Sequence, residues 1–237
     1  MSAGERRLAA MPLHAITSQR GEAGLRERLA LEIAGFAEDD RQRIGRALGL
    51  AARLHAADRR QREPYLSHLL RVAIRIISHY QIRDTGVVCA ALLHDAVEDH
   101  AAQLAPGGGQ PEAVAALAAE FGGRVAGLVA AVTNPDNEPG QDAHRRYREH
   151  VAASLEASPW ARVIKMSDFT DNGVSLIHTT GPRAETLARK YAPLVPLLRE
   201  LIARPDTPLS DAVKARIFGQ LDRAAERFAA ISRAADR

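Results

Sequence analysis

Residues 87–99 read Val87-Val-Cys-Ala-Ala-Leu-Leu-His-Asp-Ala-Val-Glu-Asp99. Its first half is apolar on every side, which is typical of a helix that is buried in a protein core. Asp84 or Thr85 precedes the apolar residues and has the side chain of a helix N-cap. We therefore predict a buried helix that begins at Asp84 or Thr85 and continues to about Asp99.

Charged and imidazole side chains fill the end of this predicted helix. At about 100° per residue, His94 and Glu98 lie one turn apart, and so do Asp95 and Asp99, so all four share one side of the helix. Carboxylates at that spacing repel one another, and a bound cation removes the repulsion. Neutral imidazole and carboxylate oxygen together suit manganese, iron or zinc. The pattern favours a metal site, and the alternative is a solvated helix end with a run of acids.

Two other segments carry residues of the same kind. His68 lies near the start of a predicted helix, and Asp168 and Asn172 lie one turn apart after an apolar approach. Taken singly, His68 is more often a cap or a surface residue, and the alternative for Asp168 is an N-cap in a local turn. Together with His94 and Asp95 they form a candidate ligand set drawn from three segments of the chain.

Helical periodicity extends along nearly the whole chain. Apolar residues recur at three- and four-residue spacings, and no βαβ pattern occurs. We predict an all-α fold, a single compact multi-helix bundle with extra N- and C-terminal helices. The expected boundaries are a flexible N-terminus at 1–22, the bundle at 23–204, and at 205–237 a C-terminal helix that packs on the bundle or pairs with another subunit.

Composition excludes several classes of protein. The 237 residues include 32 Lys and Arg against 29 Asp and Glu, and the net charge of +3 is spread along the chain, which argues against nucleic-acid binding. One cysteine excludes a disulfide framework. No apolar run approaches the roughly 20 residues of a membrane span. We expect a cytoplasmic protein that binds neither nucleic acid nor membrane.

The remaining histidines and the cysteine receive no functional assignment from the sequence. Cys89 lies inside the apolar stretch and is expected to be a small core residue. Six histidines have no partner at a ligand-like spacing, so surface or loop positions are expected for His55, His79, His100, His144, His150 and His178.

Several longer stretches follow one another in a specific order. They are Tyr65-Leu-Ser-His68-Leu-Leu-Arg-Val-Ala73, Ala90-Ala-Leu-Leu-His-Asp-Ala-Val-Glu-Asp99, Phe121-Gly122 with Leu128-Val129 and Val132-Thr133, Ile164-Lys-Met-Ser-Asp168 with Asn172, and Glu185-Thr-Leu187 with Tyr191-Ala-Pro-Leu194. This order resembles the HD superfamily of metal phosphohydrolases and, within it, the hydrolase domain of the RelA/SpoT homologues. The similarity covers roughly residues 40 to 200. Too little chain follows for that family's synthetase domain, so the small alarmone hydrolases are the most similar group.

The resemblance implies a role for each candidate residue. It makes one manganese ion the cofactor, with the ligands His68, His94, Asp95 and Asp168. It places two catalytic acids beside the attacking water, Glu98 and Asp99. It assigns substrate binding to Arg59, Arg60, Asn172 and Ser175.

The implied reaction is hydrolysis of the 3′-pyrophosphate of guanosine tetra- or pentaphosphate to GDP or GTP. The implied partner is therefore a small nucleotide, and the sequence leaves open whether the chain forms a homo-oligomer. The chain departs from the family at 168–175, where two arginines are absent and Asp171 is added, and at Gln61, where Lys is frequent. These departures leave open another nucleotide substrate, such as an adenosine-type alarmone or the 2′-phosphate of NADPH. A catalytically silent alarmone-binding module is the third interpretation. It predicts a broken ligand set or missing acids, whereas all six residues are present.

Overall fold

The computed structural model describes residues 1–60, 63–134, 143–173 and 182–235. Within these ranges the chain forms twelve helices and no strand, which confirms the all-α prediction. The helices are α1 (Ala3–Ala10), α2 (Leu13–Ile33), α3 (Glu38–Leu54), α4 (Leu66–Ser78), α5 (Thr85–Leu92), α6 (Ala96–Leu104), α7 (Gln110–Val132), α8 (Ala143–Ala157), α9 (Pro159–Asn172), α10 (Pro182–Tyr191), α11 (Leu194–Ala203) and α12 (Asp211–Ala235). Residue contacts divide the chain into two compact units, Met1–Thr133 (unit 1) and Asn134–Arg237 (unit 2).

Helix α5 lies in the core of unit 1. It packs against α3, α4 and α7, and residues 87–92 are fully buried. The helix begins where the side chain of Asp84 accepts a hydrogen bond from the backbone N–H of Val87 at 3.0 Å. The apolar stretch therefore forms the buried, capped helix that its sequence predicts.

The predicted helix breaks at the His-Asp pair. The residue after α5 has φ −109° and ψ 6°, outside the helical region, and α6 begins only at Ala96. His94 and Asp95 therefore lie in a turn between two helices, and the prediction that His94 and Glu98 share one helical row is wrong. Asp95 and Asp99 keep their helical relation, because the N–H of Asp99 donates to the carbonyl of Asp95 at 2.9 Å.

The first 22 residues differ from the flexible terminus that the sequence suggests. Ser2 caps α1, since its hydroxyl accepts a hydrogen bond from the N–H of Glu5 at 3.2 Å. Leu8 and Ile16 are buried, and α2 packs against α4. Burial of these widely spaced apolar residues stabilises the two helices, and sparse apolar positions give only a weak helical pattern in the sequence.

Helix α7 is long and apolar enough, by length and composition alone, to cross a membrane, with a mean hydropathy of 1.5. In unit 1 it packs against α5 and α6, with Phe121, Val125 and Val129 buried. Gly122 bends the helix with a φ of 81°, a conformation that glycine adopts readily. Of the apolar window of α7, 39% is buried inside the protein.

Unit 2 consists of α8 to α12. Helix α9 packs against α8 and α11, and α12 packs against α10 and α11 through the buried residues Val213, Ile217, Leu221 and Phe228. The division between the units falls inside the range 23–204 that the sequence predicts as one domain. The signal for it is the segment 134–142, which contains two prolines and a glycine within nine residues.

Candidate metal centre

Two buried histidines of unit 1 form the middle of the candidate site. His68 lies near the start of α4 and is 0% exposed, and His94 lies in the turn after α5 and is 1% exposed. Their ring centroids are 5.2 Å apart, and one nitrogen of each ring lies within 4.8 Å of the other. The packing of α4 against α5 explains how two residues so distant in sequence meet.

A backbone hydrogen bond sets the tautomer of His94. The Nδ1 atom lies 2.9 Å from the carbonyl oxygen of Ala91, and a carbonyl oxygen only accepts hydrogen bonds. In the neutral ring, Nδ1 therefore carries the proton and Nε2 keeps its lone pair. Histidines that bind metal ions are typically oriented in this way, with the second nitrogen donating to a carbonyl or a carboxylate.

Asp95 adds a carboxylate to the two imidazoles. Its Oδ2 atom lies 3.1 Å from Nε2 of His94 and 3.7 Å from Nε2 of His68. The hydroxyl of Tyr65 donates a hydrogen bond to the same oxygen at 2.8 Å. Burial of the phenol, followed by the charge of Asp95, raises the pKa of Tyr65, so the phenol stays protonated and remains a donor.

These three residues fit a divalent metal ion. Two neutral imidazole nitrogens and one carboxylate oxygen are donors that manganese, iron and zinc accept. An ion that accepts six ligands keeps coordination positions for water or substrate even beside four protein ligands, as catalytic sites require, whereas structural zinc sites are tetrahedral and closed by four protein ligands. The donor set of His68, His94 and Asp95 is therefore of the catalytic type.

The two predicted catalytic acids lie in the first turn of α6. Glu98 and Asp99 both reach solvent. Partial burial, followed by the charges of Asp95 and Glu98, raises the pKa of Asp99 to about 6. A cation bound beside Asp95 acts in the opposite direction, because it favours the ionised carboxylate. Two carboxylates at this position can orient a water molecule and exchange a proton with it.

The loop between α3 and α4 carries the predicted substrate-binding arginines. Backbone hydrogen bonds close this loop, and Arg59 is exposed. The guanidinium carbon of Arg60 lies 5.7 Å from the ring centroid of Tyr65, the residue that donates to Asp95. Gln61 lies outside the described residues. Arg60 thus contacts Tyr65, and Tyr65 in turn contacts the candidate ligand Asp95.

Unit 2 carries the fourth predicted ligand, Asp168, which is 7% exposed on α9. Its Oδ2 atom lies 3.1 Å from Nζ of Lys165, and its Oδ1 atom accepts a hydrogen bond from the amide of Asn172. Both carboxylate oxygens are therefore held by side chains of the same helix. Ser175 lies outside the described residues. The role of Asp168 as a ligand stays a prediction.

A second histidine cluster is missed by the sequence analysis. His55 follows α3 as its C-cap residue, a loop position as predicted, but its side chain is only 2% exposed. His100 lies inside α6 and is 9% exposed, so the prediction of a surface or loop position is wrong for His100. The two histidines meet because α3 packs against α6, and Asp58 lies between them. The three-residue spacing from His55 to Asp58 is the signal that indicates this cluster. Of the other histidines in that prediction, His79 is exposed. His178 and the side chains of His144 and His150 lie outside the described part of the structure.

Comparison with known proteins adds an independent line of evidence. Residues 47–164 match the family model of the HD domain. The Drosophila melanogaster protein named "Guanosine-3′,5′-bis(diphosphate) 3′-pyrophosphohydrolase MESH1" is 38% identical over 128 residues, which is 53% of this chain and 64% of that protein. The Homo sapiens protein of the same name is 35% identical over 126 residues, 52% of this chain and 63% of that protein. These matches span slightly less than two thirds of the relatives' own length.

A solved structure extends the similarity to the fold. It is described as "A metazoan ortholog of SpoT hydrolyzes ppGpp and plays a role in starvation responses". The two structures align with a TM-score of 0.57 and 28% sequence identity, over 75% of this chain and 94% of that one. With its His-Asp turn, its buried histidine pair and these similarities, the chain belongs to the HD superfamily, and its HD domain lies in residues 47–164.

Proposed function

We propose that this chain hydrolyses the 3′-pyrophosphate of guanosine tetra- and pentaphosphate, releasing pyrophosphate and GDP or GTP. Relatives named for this reaction are 38% and 35% identical to the chain. The observation that carries the proposal is the convergence of two buried imidazoles and Asp95 inside an HD domain. Glu98 and Asp99 follow directly on α6 as the two acids that hydrolysis needs.

The proposed ion is Mn²⁺, and the resemblance makes Asp168 its fourth ligand. A bound divalent ion acidifies its water and offsets charge on the phosphoryl oxygens. His68 and His94 contribute neutral nitrogen donors, and Asp95 contributes negative charge. Tyr65 orients the Asp95 carboxylate through the hydrogen bond that it donates.

Glu98 and Asp99 act on the water molecule. One carboxylate orients the water and accepts its proton while the oxygen forms a bond to the phosphorus that is linked to the 3′-oxygen. The bond between that phosphorus and the 3′-oxygen breaks, pyrophosphate leaves, and the 3′-oxygen takes up a proton to become a hydroxyl. Removal of either carboxylate should therefore affect the chemical step rather than the binding of substrate.

The resemblance assigns substrate binding to Arg59, Arg60, Asn172 and Ser175. Arg59 and Arg60 provide planar cations that pair with phosphate and stack on a base. Arg60 lies over the Tyr65 ring, which connects this loop to the candidate ligands. On the resemblance, Asn172 is proposed to lie near the ribose, and Ser175 stands where the family commonly has Thr.

A second candidate function is hydrolysis of another nucleotide by the same centre, such as an adenosine-type alarmone or the 2′-phosphate of NADPH. The observation in its favour is the segment at 168–175, which lacks the two arginines of the family and adds Asp171, a residue that is 5% exposed on α9. Because the resemblance places this segment near the ribose of the substrate, the change in its charge would affect which nucleotide the site accepts.

Product analysis distinguishes the two functions. The manganese-loaded chain is incubated with guanosine and adenosine nucleotides that carry a 3′-pyrophosphate and, separately, with NADPH, and the products are separated by anion exchange. We expect pyrophosphate and GDP from guanosine tetraphosphate, and none from the His94→Gln variant. Turnover confined to adenosine nucleotides, or release of phosphate from NADPH, would support the second function. No turnover of any substrate would contradict both.

A further inference from the structure

A second cluster of metal-binding side chains lies in unit 1, outside the ligand set described above. His55 follows α3 as its C-cap residue, Asp58 lies in the loop between α3 and α4, and His100 interrupts α6 with φ −134° and ψ 28°. The two imidazoles are 2% and 9% exposed, while the Asp58 side chain is 33% exposed. The cluster is therefore a buried pair of imidazoles that a carboxylate connects to solvent.

One atom of each side chain is directed at a common position. The Oδ2 atom of Asp58 lies 2.7 Å from Nδ1 of His55 and 2.7 Å from Nε2 of His100, and the two nitrogens are 3.2 Å apart. If both rings donate to this one oxygen, both nitrogens carry protons, and two N–H groups lie side by side. A cation at the shared position removes this conflict, because each of the three atoms then directs a lone pair at it.

The donor set suits a first-row transition-metal ion. Two imidazole nitrogens and one carboxylate oxygen form the ligand set of open zinc sites and of non-haem iron sites. Burial lowers the pKa of His55, which favours the neutral ring and its lone pair. Ligand atoms about 2.1 Å from a tetrahedral ion lie about 3.4 Å apart, so the three atoms must separate by less than about 1 Å. The Asp58 side chain is 33% exposed, which leaves its carboxylate space for a shift of this size.

We propose that His55, Asp58 and His100 bind a second divalent ion, of the Zn²⁺ class. This site is distinct from the site of His68, His94 and Asp95, which we call the HD centre. Through Tyr65, the ion would help to position the loop between α3 and α4 and the candidate ligand Asp95. The Tyr65 ring stacks on His55 with a centroid distance of 4.8 Å and an interplanar angle of 11°, its N–H donates to the Asp58 carbonyl at 3.1 Å, and its hydroxyl donates to Asp95. An ion held by Asp58 therefore fixes both ends of the loop between α3 and α4.

Zinc stoichiometry tests the second site. The full chain is stripped of metal and dialysed against Zn²⁺, and zinc per chain is measured by elemental analysis. His100→Gln and Asp58→Asn each remove one ligand of the proposed site, His94→Gln removes one from the HD centre, and His79→Gln changes an exposed histidine as the control. We expect two zinc ions in the wild type and in His79→Gln, and one in each of the other three variants.

Equal zinc content in the wild type, His100→Gln and Asp58→Asn would overturn the second site. Titration of the wild type with Co²⁺ gives a result that needs no variant to fold: the visible absorption should rise beyond the first equivalent, and saturation at one equivalent would also overturn the inference. The outcome is separate from that of the proposed reaction. A chain that binds two ions but releases no pyrophosphate would keep this site and contradict the proposed function.

Discussion

Tyr65 connects the loop between α3 and α4, which carries the predicted substrate-binding arginines, to the candidate ligands. Its hydroxyl donates to Asp95 at 2.8 Å, and its ring stacks on His55. Tyr65→Phe keeps the ring and removes only this donor. We expect manganese affinity at the HD centre to fall about 10-fold or more, the scale observed when a group that orients a ligand is lost. Titration of the stripped chain with Mn²⁺ measures this, and unchanged affinity would show that Asp95 does not depend on the phenol.

The acids of α6 make a separate prediction about the chemical step. Glu98→Gln and Asp99→Asn keep the shape of each side chain and remove the charge that accepts a proton. We expect each variant to fold, to retain its metal, and to lose about 10²-fold or more in rate, the usual scale for general acid–base catalysis. Single-turnover rates and metal content are measured on the same samples. Parallel loss of metal and rate would make these residues ligands and change the mechanism.

The arginines of the loop between α3 and α4 predict a defect in binding. Replacing both Arg59 and Arg60 by Ala removes two cations that are proposed to hold a highly anionic nucleotide. We expect KM to rise with a smaller change in kcat, because binding common to the ground and transition states is lost. The difference should shrink at high salt. Steady-state titrations at two ionic strengths measure this, with Arg53→Ala, an exposed arginine on α3, as the control. An unchanged KM would make both arginines solvated loop residues.

At the scale of elements, the turn between α5 and α6 shows what the sequence predicts and what it does not. The apolar run predicts α5, because a helix that is apolar all round is buried. No glycine or proline marks the break before His94, so the periodicity continues to Asp99. The break coincides with a local hydrogen bond that periodicity does not reveal: the Ala91 carbonyl, which a continuous helix would pair with the N–H of Asp95, accepts the ring N–H of His94. The same hydrogen bond prepares His94 to bind a metal ion.

The start of α5 makes a prediction about stability and pH. Asp84 caps the helix and accepts hydrogen bonds from Arg124 at 2.7 and 2.8 Å. We expect Asp84→Ala to lower the free energy of unfolding by about 1–2 kcal/mol at pH 7, the scale for loss of an N-cap. Asp84→Asn keeps a cap acceptor and loses the charge, so it should lie between the two.

The pKa of Asp84 sets the pH at which this stabilisation disappears. The hydrogen bond from Arg124, supported by the N–H of Val87, holds that pKa below its ordinary value of 3.8. A carboxyl group whose pKa is lowered by folding stabilises the folded chain when the pH is above the ordinary pKa. This stabilisation is lost as the pH falls through the pKa of the folded state. The charge-dependent difference between the wild type and Asp84→Asn should therefore be constant from neutral pH to about pH 5 and should shrink below pH 3.8. Urea unfolding at a series of pH values measures this, and a difference that persists undiminished at the lowest pH would contradict the assignment.

At the scale of the whole molecule, the sequence predicts the class of fold and the identity of the family, but not the division into units. Apolar residues at helical spacing are sufficient for the all-α assignment, and the motifs around His68 and His94 are sufficient for the family. The helices within 1–22 depend on burial of Leu8 and Ile16, which local periodicity does not reveal. The cluster around His55 and His100 depends on the packing of α3 against α6, which is likewise a tertiary property.

We propose that the buried histidine pair holds the metal ion on which release of pyrophosphate depends. The most direct test measures bound manganese and pyrophosphate release together, in wild type, His94→Gln and the control His14→Gln, whose histidine is exposed on α2. We expect His94→Gln to lose manganese from the HD centre and to lose turnover of guanosine tetraphosphate, while His14→Gln retains both. Wild-type manganese content together with wild-type pyrophosphate release in His94→Gln would show that His94 is not a ligand of the catalytic ion.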